Sequence, residues 1–472
     1  MNLDDKNLVK MSTEDTTLRN VPSLVARNLI ARLSTECKAY CILSGYDQLP
    51  ESFDSDIDLM VDANDFQHMP LLIQDLASGT GTHLFRTTQH EISACAYLLS
   101  AQSGANLIFI SADCCADYRH YGRLWLRADE VLASRRRHPN GFWIPGASYE
   151  FLYYLIKRMN KRDFTAQQGQ RLHRLYTEDP QGSDQMLARY WTGSHKEALR
   201  SMAASGNWDA MPSNLESFRR ELMLHSIESP LEKLGSLGEH LHHFLDRVLR
   251  PTGGWIAFMG PDGCGKSSVI QAITAEFAPA FSGVNPFHMT PKLLRKGNPA
   301  LRDVTAPHGQ PPRGLAASIA KVFYYIADYA LGYLLRIRPA MLRTRLVVFD
   351  RYFYDLLVDN KRVRYGGPTW LLRFAARLIP RPELVLLLDA SPEVLWSRKQ
   401  EVPFEEVVRQ QMSFRKLIEQ LPSAVVINAS QPLPGVIHDT AAAIVSFFED
   451  RTAIRLGLNS HSSSLELTAP RK

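Results

Sequence analysis

Residues 255–269 read WIAFMGPDGCGKSSV, and the fold turns on them. The apolar run Trp255 to Met259 predicts a strand. The next eight residues, Gly260-Pro261-Asp262-Gly263-Cys264-Gly265-Lys266-Ser267, have the spacing G-x-x-x-x-G-K-[ST]. Val269-Ile270-Gln271-Ala272-Ile273 then continues in a helical pattern. Each residue type has a physical role. The glycines let backbone N–H groups turn inward and cradle phosphate oxygens at a helix N-terminus. A lysine reaches the outer phosphates, and the hydroxyl of Ser267 is a ligand for Mg²⁺. The stretch therefore predicts a site for ATP lined by Gly260, Asp262, Gly263, Cys264, Gly265, Lys266, Ser267 and Ser268.

The bulk numbers narrow the classes. A chain of 472 residues is too long for one ordinary core, so two or three domains are expected. With 45% hydrophobic and 22% charged residues the composition is globular. A net charge of +5 is too small at this length to predict a nucleic-acid partner, and none is expected. The six cysteines form no C-x-x-C pair and have no histidine at zinc spacing. The polar, acidic start MNLDDKNLVKMSTED does not read as a secretory signal. The apolar stretch 315–342 is broken by Lys321, Asp328, Arg336 and Arg338, which predicts a buried amphipathic helix and no membrane span. A cytoplasmic location with reduced thiols is expected.

Along the chain, residues 1–20 read as a flexible arm and 456–472 as a disordered tail. Between 21 and 137, strand-like runs such as Tyr40-Cys41-Ile42-Leu43 alternate with helical patterns, which predicts an α+β domain. Residues 138–250 read as a helical domain. Arg250-Pro251-Thr252-Gly253-Gly254 breaks the pattern and opens a third domain, 251–455. Its strand candidates are 255–260, 284–289, 346–350, 384–389 and 424–428. Their near-continuous apolar runs predict an α/β fold with a doubly wound parallel sheet and ligands at the strands' carboxyl ends.

A second signal supports that reading. Leu346-Val347-Val348-Phe349-Asp350-Arg351-Tyr352 is a strand ending in a carboxylate and a guanidinium. The carboxylate suits Mg²⁺ beside the phosphate loop, and the arginine suits a phosphate. On these residues the chain resembles the thymidylate kinase-like P-loop kinases. The aspartate inside the glycine loop, the run Asp350-Arg351-Tyr352, and Leu388-Asp389-Ala390-Ser391-Pro392-Glu393-Val394-Leu395 leading to Arg398-Lys399 carry the resemblance, over about 255–451. It implies that Asp262 touches an acceptor hydroxyl, Asp350 helps hold Mg²⁺ and Arg351 orients an acceptor phosphate. Arg398 and Lys399 would belong to a lid over ATP, and 428–430 would lie near the adenine. Lys266, Asp350, Arg351 and Arg398 form the implied catalytic set, and a homodimer would fit the group. The expected activity is ATP- and Mg²⁺-dependent transfer to a phosphorylated small molecule, thymidylate-like or sugar-related. The chain departs from the group at Phe287-His288-Met289-Thr290-Pro291-Lys292, where an Arg-Glu-Pro run would stand, and in the loops 307–314 and 359–367. His288, Arg313, Arg362, Arg364 and Tyr365 are the candidate acceptor contacts.

The front half carries Leu43-Ser44-Gly45-Tyr46 and then Asp54-Ser55-Asp56-Ile57-Asp58-Leu59-Met60-Val61. Aspartates at i and i+2 of a strand project to one side and can share divalent metal, which makes Asp56 and Asp58 candidate ligands. The pattern resembles the minimal members of the nucleotidyltransferase superfamily. It departs from them in Tyr46, where a small hydroxyl residue is usual. A third carboxylate is also lacking from 106–111, with Asp113 just beyond. Two alternatives stand beside the kinase: nucleotidyl transfer through Asp56 and Asp58, and a non-catalytic ATP-binding switch between the two halves.

Overall fold

The computed structural model describes residues 20–458 except 53–55, 105, 121, 226–237, 239, 240, 243 and 295–310. The arm before Asn20, the tail beyond Leu458, Asp54, Ser55 and part of the 307–314 loop lie outside the described residues. The chain divides into two compact units, one built mainly on residues before 245 and one on 245–451.

In the first unit a five-stranded mixed sheet runs in the order β1-β2-β5-β4-β3. The strands are β1 (Tyr40–Ser44), β2 (Ile57–Val61), β3 (His83–Glu91), β4 (Ala94–Ser103) and β5 (Asn106–Cys115). Period-two alternation divides their side chains between two cores. Tyr40, Ile42, Ile57, Leu59 and Val61 pack with residues of α1 (Asn20–Glu36) and α2 (Ala63–Thr80). Cys41, Leu43 and Met60 face the other way, into a core shared with the helices that follow. Those helices are α3 (Ala128–Ala133), α4 (Ala147–Lys161), α5 (Ala166–Glu178), α6 (Pro180–Ala188), α7 (Gly193–Ser205) and α8 (Met211–Leu222).

Their ends are set by local chemistry. Thr165 and Gln168 form a reciprocal capping box at α5, and Asp179 caps α6 with Pro180 in its first turn. Two short ribbons, β6 (Tyr118–His120) with β7 (Arg123–Leu126) and β8 (Arg136–Arg137) with β9 (Trp143–Ile144), connect sheet to helices. The β8–β9 pairing, Arg136 with Ile144 and Arg137 with Trp143, bridges the boundary that the sequence suggests at 137/138. Helical periodicity reports which face of a helix is apolar, not what covers it. Here the sheet and the helices share one core.

The second unit is built on a parallel sheet in the order β11-β12-β10-β13-β14, comprising β10 (Gly254–Met259), β11 (Val284–His288), β12 (Leu346–Asp350), β13 (Leu384–Asp389) and β14 (Ala424–Asn428). Every residue of β10 and β13 is buried, as their unbroken apolar runs require. The helices are α9 (Lys266–Phe277), α10 (Leu315–Gly332), α11 (Arg338–Leu342), α12 (Asp355–Val358), α13 (Thr369–Leu378), α14 (Pro392–Arg398), α15 (Phe404–Ile418) and α16 (Leu433–Leu456). A π-helical turn, Tyr333–Ile337, joins α10 to α11. α10 buries Val322, Tyr325, Asp328 and Tyr329 while Phe323 and Leu331 stay exposed. None of the described helices is long and apolar enough to cross a membrane. Chain order reverses on either side of β10, so the crevice at its carboxyl end is the place where such sheets bind ligands.

The first unit also contains a buried ion pair that orders it. Glu150 on α4 is 1% exposed. Its carboxylate accepts hydrogen bonds from Tyr46 Oη at 2.6 Å and from Arg171 at 2.8 Å. The Arg171 guanidinium lies over the Tyr46 and Tyr154 rings, and Asp47 is 3.6 Å away. Removing one partner of a buried pair strands the other charge. Glu150→Ala is expected to cost the unit about 3 kcal/mol in urea unfolding of the intact chain. Glu150→Gln should cost less, because its amide oxygen still accepts both bonds.

Candidate active site

The loop after β10 is shaped by contacts that leave no room for side chains. A Cβ on Gly260 would lie 2.5 Å from the Leu388 carbonyl oxygen, and one on Gly263 would lie 2.8 Å from that of Leu395. The end of β13 and the middle of α14 thus press directly on the loop backbone. Gly260 (φ 143°), Gly263 (φ 87°) and Gly265 (φ 87°) also adopt the conformation that favours glycine. Gly265 precedes α9 without a side-chain cap, which leaves the helix's first N–H groups to serve the loop. Lys266 is buried and folds back on its own loop. Its Nζ donates to the Gly260 carbonyl at 2.7 Å and the Pro261 carbonyl at 2.9 Å, and it lies 3.5 Å from Cys264 Sγ. Ser267 and Ser268 are exposed beside it, and Cys264 is buried.

Sheet register brings the second motif to the same edge. Asp350 pairs with Phe258 on one side and His288 on the other. Its Oδ1 is buried and receives no hydrogen bond among the described residues. Arg351 takes the left-handed conformation (φ 66°), and its N–H donates to the Phe258 carbonyl at 2.9 Å. Its guanidinium bonds Asp262 in the loop and Asp355 at 3.2 Å. Asp355 also accepts from the Tyr352 N–H at 3.0 Å, which fixes the arginine's base. Arg362 closes the group from the 359–367 loop. It donates to the other Asp262 oxygen at 2.7 Å, while its own N–H bonds the Asp359 carboxylate at 3.2 Å.

These charges set the protonation states. Burial alone would raise the Asp262 carboxyl, but Arg351, then Arg362 and Lys266, outweigh it and hold the group well below the usual carboxylate range. Asp355 is raised, by burial first, against the pull of Arg351. His288 is lowered by burial; Asp350 opposes that shift, and Arg351, Lys292 and Arg362 add to it. The donor set fits ATP and Mg²⁺. An unbonded buried carboxylate oxygen on Asp350 suits a divalent cation, and a lysine satisfied by groups of its own loop suits a polyphosphate.

Other predicted residues fall in different places. Arg398, the last residue of α14, donates to the Ala429 carbonyl at 2.9 Å, beyond the end of β14. Lys399 pairs with Glu401 at 3.0 Å. Arg364 donates to the Pro311 carbonyl, Arg313 N–H to the Arg364 carbonyl, and Tyr365 Oη to the Pro368 carbonyl. The first two bonds tie the two loops together, the third stays within its own segment, and none of the three residues is among the partners of Asp262. Sequence reasoning passed over Asp355, which is visible only as i+4 from Arg351. Asp389 entered it only as part of the 388–395 run; the partners of this buried carboxylate, Arg415 at 2.7 Å and Gln411 at 3.1 Å from α15, have no spacing signal.

In the first unit Asp56 is exposed just ahead of β2, and Asp58 stands on it. β5 runs on to Cys115 and sets Asp113 opposite Asp58 in parallel register, so a third carboxylate does reach the group. The Asp113 carboxyl is pushed up to about 6, by burial first and then by Asp56, with Ser111 opposing. Asp58 is bonded by Ser44 Oγ and by the ammonium of Lys157, which α4 carries on the face it shares with Glu150. Among the described residues no three His, Cys, Asp or Glu side chains stand in a metal-holding arrangement.

No family model matches the chain. The thymidylate kinase of Limosilactobacillus fermentum is 27% identical over 220 residues, covering 42% of this chain and 98% of that protein. That of Leuconostoc mesenteroides is 25% identical over 222 residues, with the same coverage. A probable thymidylate kinase of Methanococcoides burtonii is 26% identical over 217 residues, again 42% and 98%. The solved thymidylate kinase of Ehrlichia chaffeensis aligns over 41% of this chain and 98% of its own at 16% identity, with a TM-score of 0.31, too low to carry an argument. Over about 42% of its length the chain is homologous to thymidylate kinases, and it is a phosphotransferase of the P-loop, nucleoside monophosphate kinase-like kind.

Proposed function

We propose that the second unit moves the terminal phosphate of ATP to a phosphorylated small molecule, with a nucleoside monophosphate of the thymidylate type as first candidate. The carrying observation is the meeting of Arg351 and Arg362 on the loop carboxylate Asp262, beside Asp350. Two guanidiniums aimed at one point suit a dianionic acceptor phosphate. The names of the relatives support a thymidylate-like acceptor, and the divergent loops 287–292 and 359–367 make phosphorylated sugars the second class to test.

The residues divide the work. Loop amides and Lys266 hold the outer phosphates, the lysine exchanging its carbonyl contacts for phosphate oxygens. Ser267 and Asp350 would hold Mg²⁺, which supplies charge neutralisation when bound. Asp262 stays ionised and keeps both arginines aimed, so they are ordered before the acceptor arrives. His288, kept neutral, offers a hydrogen bond and adds no charge. Arg398, on the Ala429 carbonyl, would steady the adenine side.

Phosphorus NMR of Mg-ATP with thymidylate, other nucleoside monophosphates and phosphorylated sugars tests this reading. ADP should appear only with an acceptor. Lys266→Ala should slow its release by at least about a hundredfold, or about 3 kcal/mol of transition-state stabilisation. Full turnover in that variant would remove the assignment.

One observation favours a second reading, nucleotidyl transfer in the first unit: the register that sets Asp113 beside Asp58. It predicts pyrophosphate that disappears in Asp56→Asn and survives Lys266→Ala; Lys157 on Asp58 weighs against it. The carboxyl of Asp113 gives a separate check. Folding favours its protonated form, so its contribution to stability is fully present below 3.8 and lost as the pH rises through about 6. Asp113→Asn should therefore gain melting temperature on the wild-type chain as the pH goes from about 4 to about 7. An unchanged difference would mean that folding does not raise the Asp113 carboxyl.

A further inference from the structure

α10 contains a carboxylate at a place where its chain of apolar residues gives no reason for one. Asp328 is 0% exposed, and its two oxygens accept three consecutive backbone N–H groups: Lys292 at 3.1 Å, Leu293 at 2.7 Å and Leu294 at 2.9 Å. The same helix and its π-helical extension grip that segment at further points. Tyr329 Oη donates to the Met289 carbonyl, and Arg336 donates to the Pro291 carbonyl at 2.7 Å. A Cβ on Gly332 would lie 2.3 Å from Pro291 Cβ, so helix and loop are in direct contact. The loop is strained as well. Met289 (φ 63°) and Lys292 (φ 55°) are left-handed non-glycine residues, a conformation that persists only where surrounding contacts over-determine it.

This clasped loop follows β11 directly and stands where the kinase group would carry its Arg-Glu-Pro run. It begins just after His288, which stands opposite Asp350, and the exposed Lys292 is near enough for its charge to act on that imidazole together with Arg351 and Arg362. A helix that holds a strained segment at five residues is setting the place of something the segment carries. The one cation on its described part is Lys292.

We propose that Asp328 is a positioning residue for the acceptor side of the site, holding the 289–294 loop so that Lys292 meets an anionic group of the acceptor. The inference rests on the kinase reading above and names a residue that selects its second substrate. The carboxylate is required because three N–H donors need more lone pairs than one amide oxygen offers. An asparagine would keep the Leu293 and Leu294 bonds on one oxygen and present an N–H to the N–H of Lys292.

The test compares Asp328→Asn, Lys292→Ala and Lys292→Arg in the full chain, with thymidylate and the rest of the acceptor panel. Lys292→Ala should raise the acceptor KM about tenfold while the ATP KM and the melting temperature hold, and Lys292→Arg should restore most of the loss. Asp328→Asn should raise the same KM and also speed amide hydrogen exchange at residues 292–294, which Lys292→Ala should leave alone. Acceptor-dependent turnover indifferent to Lys292→Ala, or equal losses for ATP and acceptor in both variants, would overturn this proposal and leave the kinase standing. ADP release that depends on no acceptor in the panel would remove both.

Discussion

The second unit depends on a backbone contact at Gly260 and Gly263, where the loop lies against the carbonyl oxygens of Leu388 and Leu395 with no space for a Cβ. That approach pins the loop, which leaves the end of β10, against the end of β13 and against α14. It thereby fixes where Lys266 enters α9 and which way its side chain returns. Parallel register does the rest, because Asp350 must stand opposite Phe258, and Arg351 is then tied to the Phe258 carbonyl. Two motifs separated by some ninety residues arrive at one point with little left to adjust.

Both units solve the same electrostatic problem in related ways. A half-buried carboxylate is costly unless a cation sits on it. Asp58 is answered by Lys157 across from β2, and Asp262 by two arginines. The difference lies in what the cations do besides. The Arg351 guanidinium is anchored at a second place by Asp355, so it remains ordered if it exchanges Asp262 for a phosphate, while Asp359 holds the backbone N–H of Arg362. Lys157 has Ser44 as its other polar neighbour, which belongs to the same cluster. Arginine's fixed fork suits the first arrangement, and lysine's point charge suits the second.

Much of the second unit was legible in the sequence because its signals are local. The strands at 346–350, 384–389 and 424–428 have the predicted bounds, and β11 stops at His288 because Met289 turns left-handed. Lys266, Asp350 and Arg351 could be read from adjacent residues, and Arg362 from a basic loop broken by glycine. Asp328 was legible only as a charge that rules out a membrane span. Its partners lie some thirty-five residues away, and nothing in the spacing ties them together. Arg415 on Asp389 was hidden for the same reason. In the first unit, β3 and β4 and the core shared between sheet and helices escaped notice, since burial against a distant partner leaves no periodic trace.

The return of Lys266 to its own loop carries a consequence for which molecules enter. An arriving anion must displace two charge-assisted contacts, those to the Gly260 and Pro261 carbonyls. Each is worth about 1.5–3 kcal/mol. A ligand that also meets the loop's amides offsets that exchange more readily than one held by the lysine alone. The lysine's contacts with its own loop are therefore a cost that any anion bound through it has to offset.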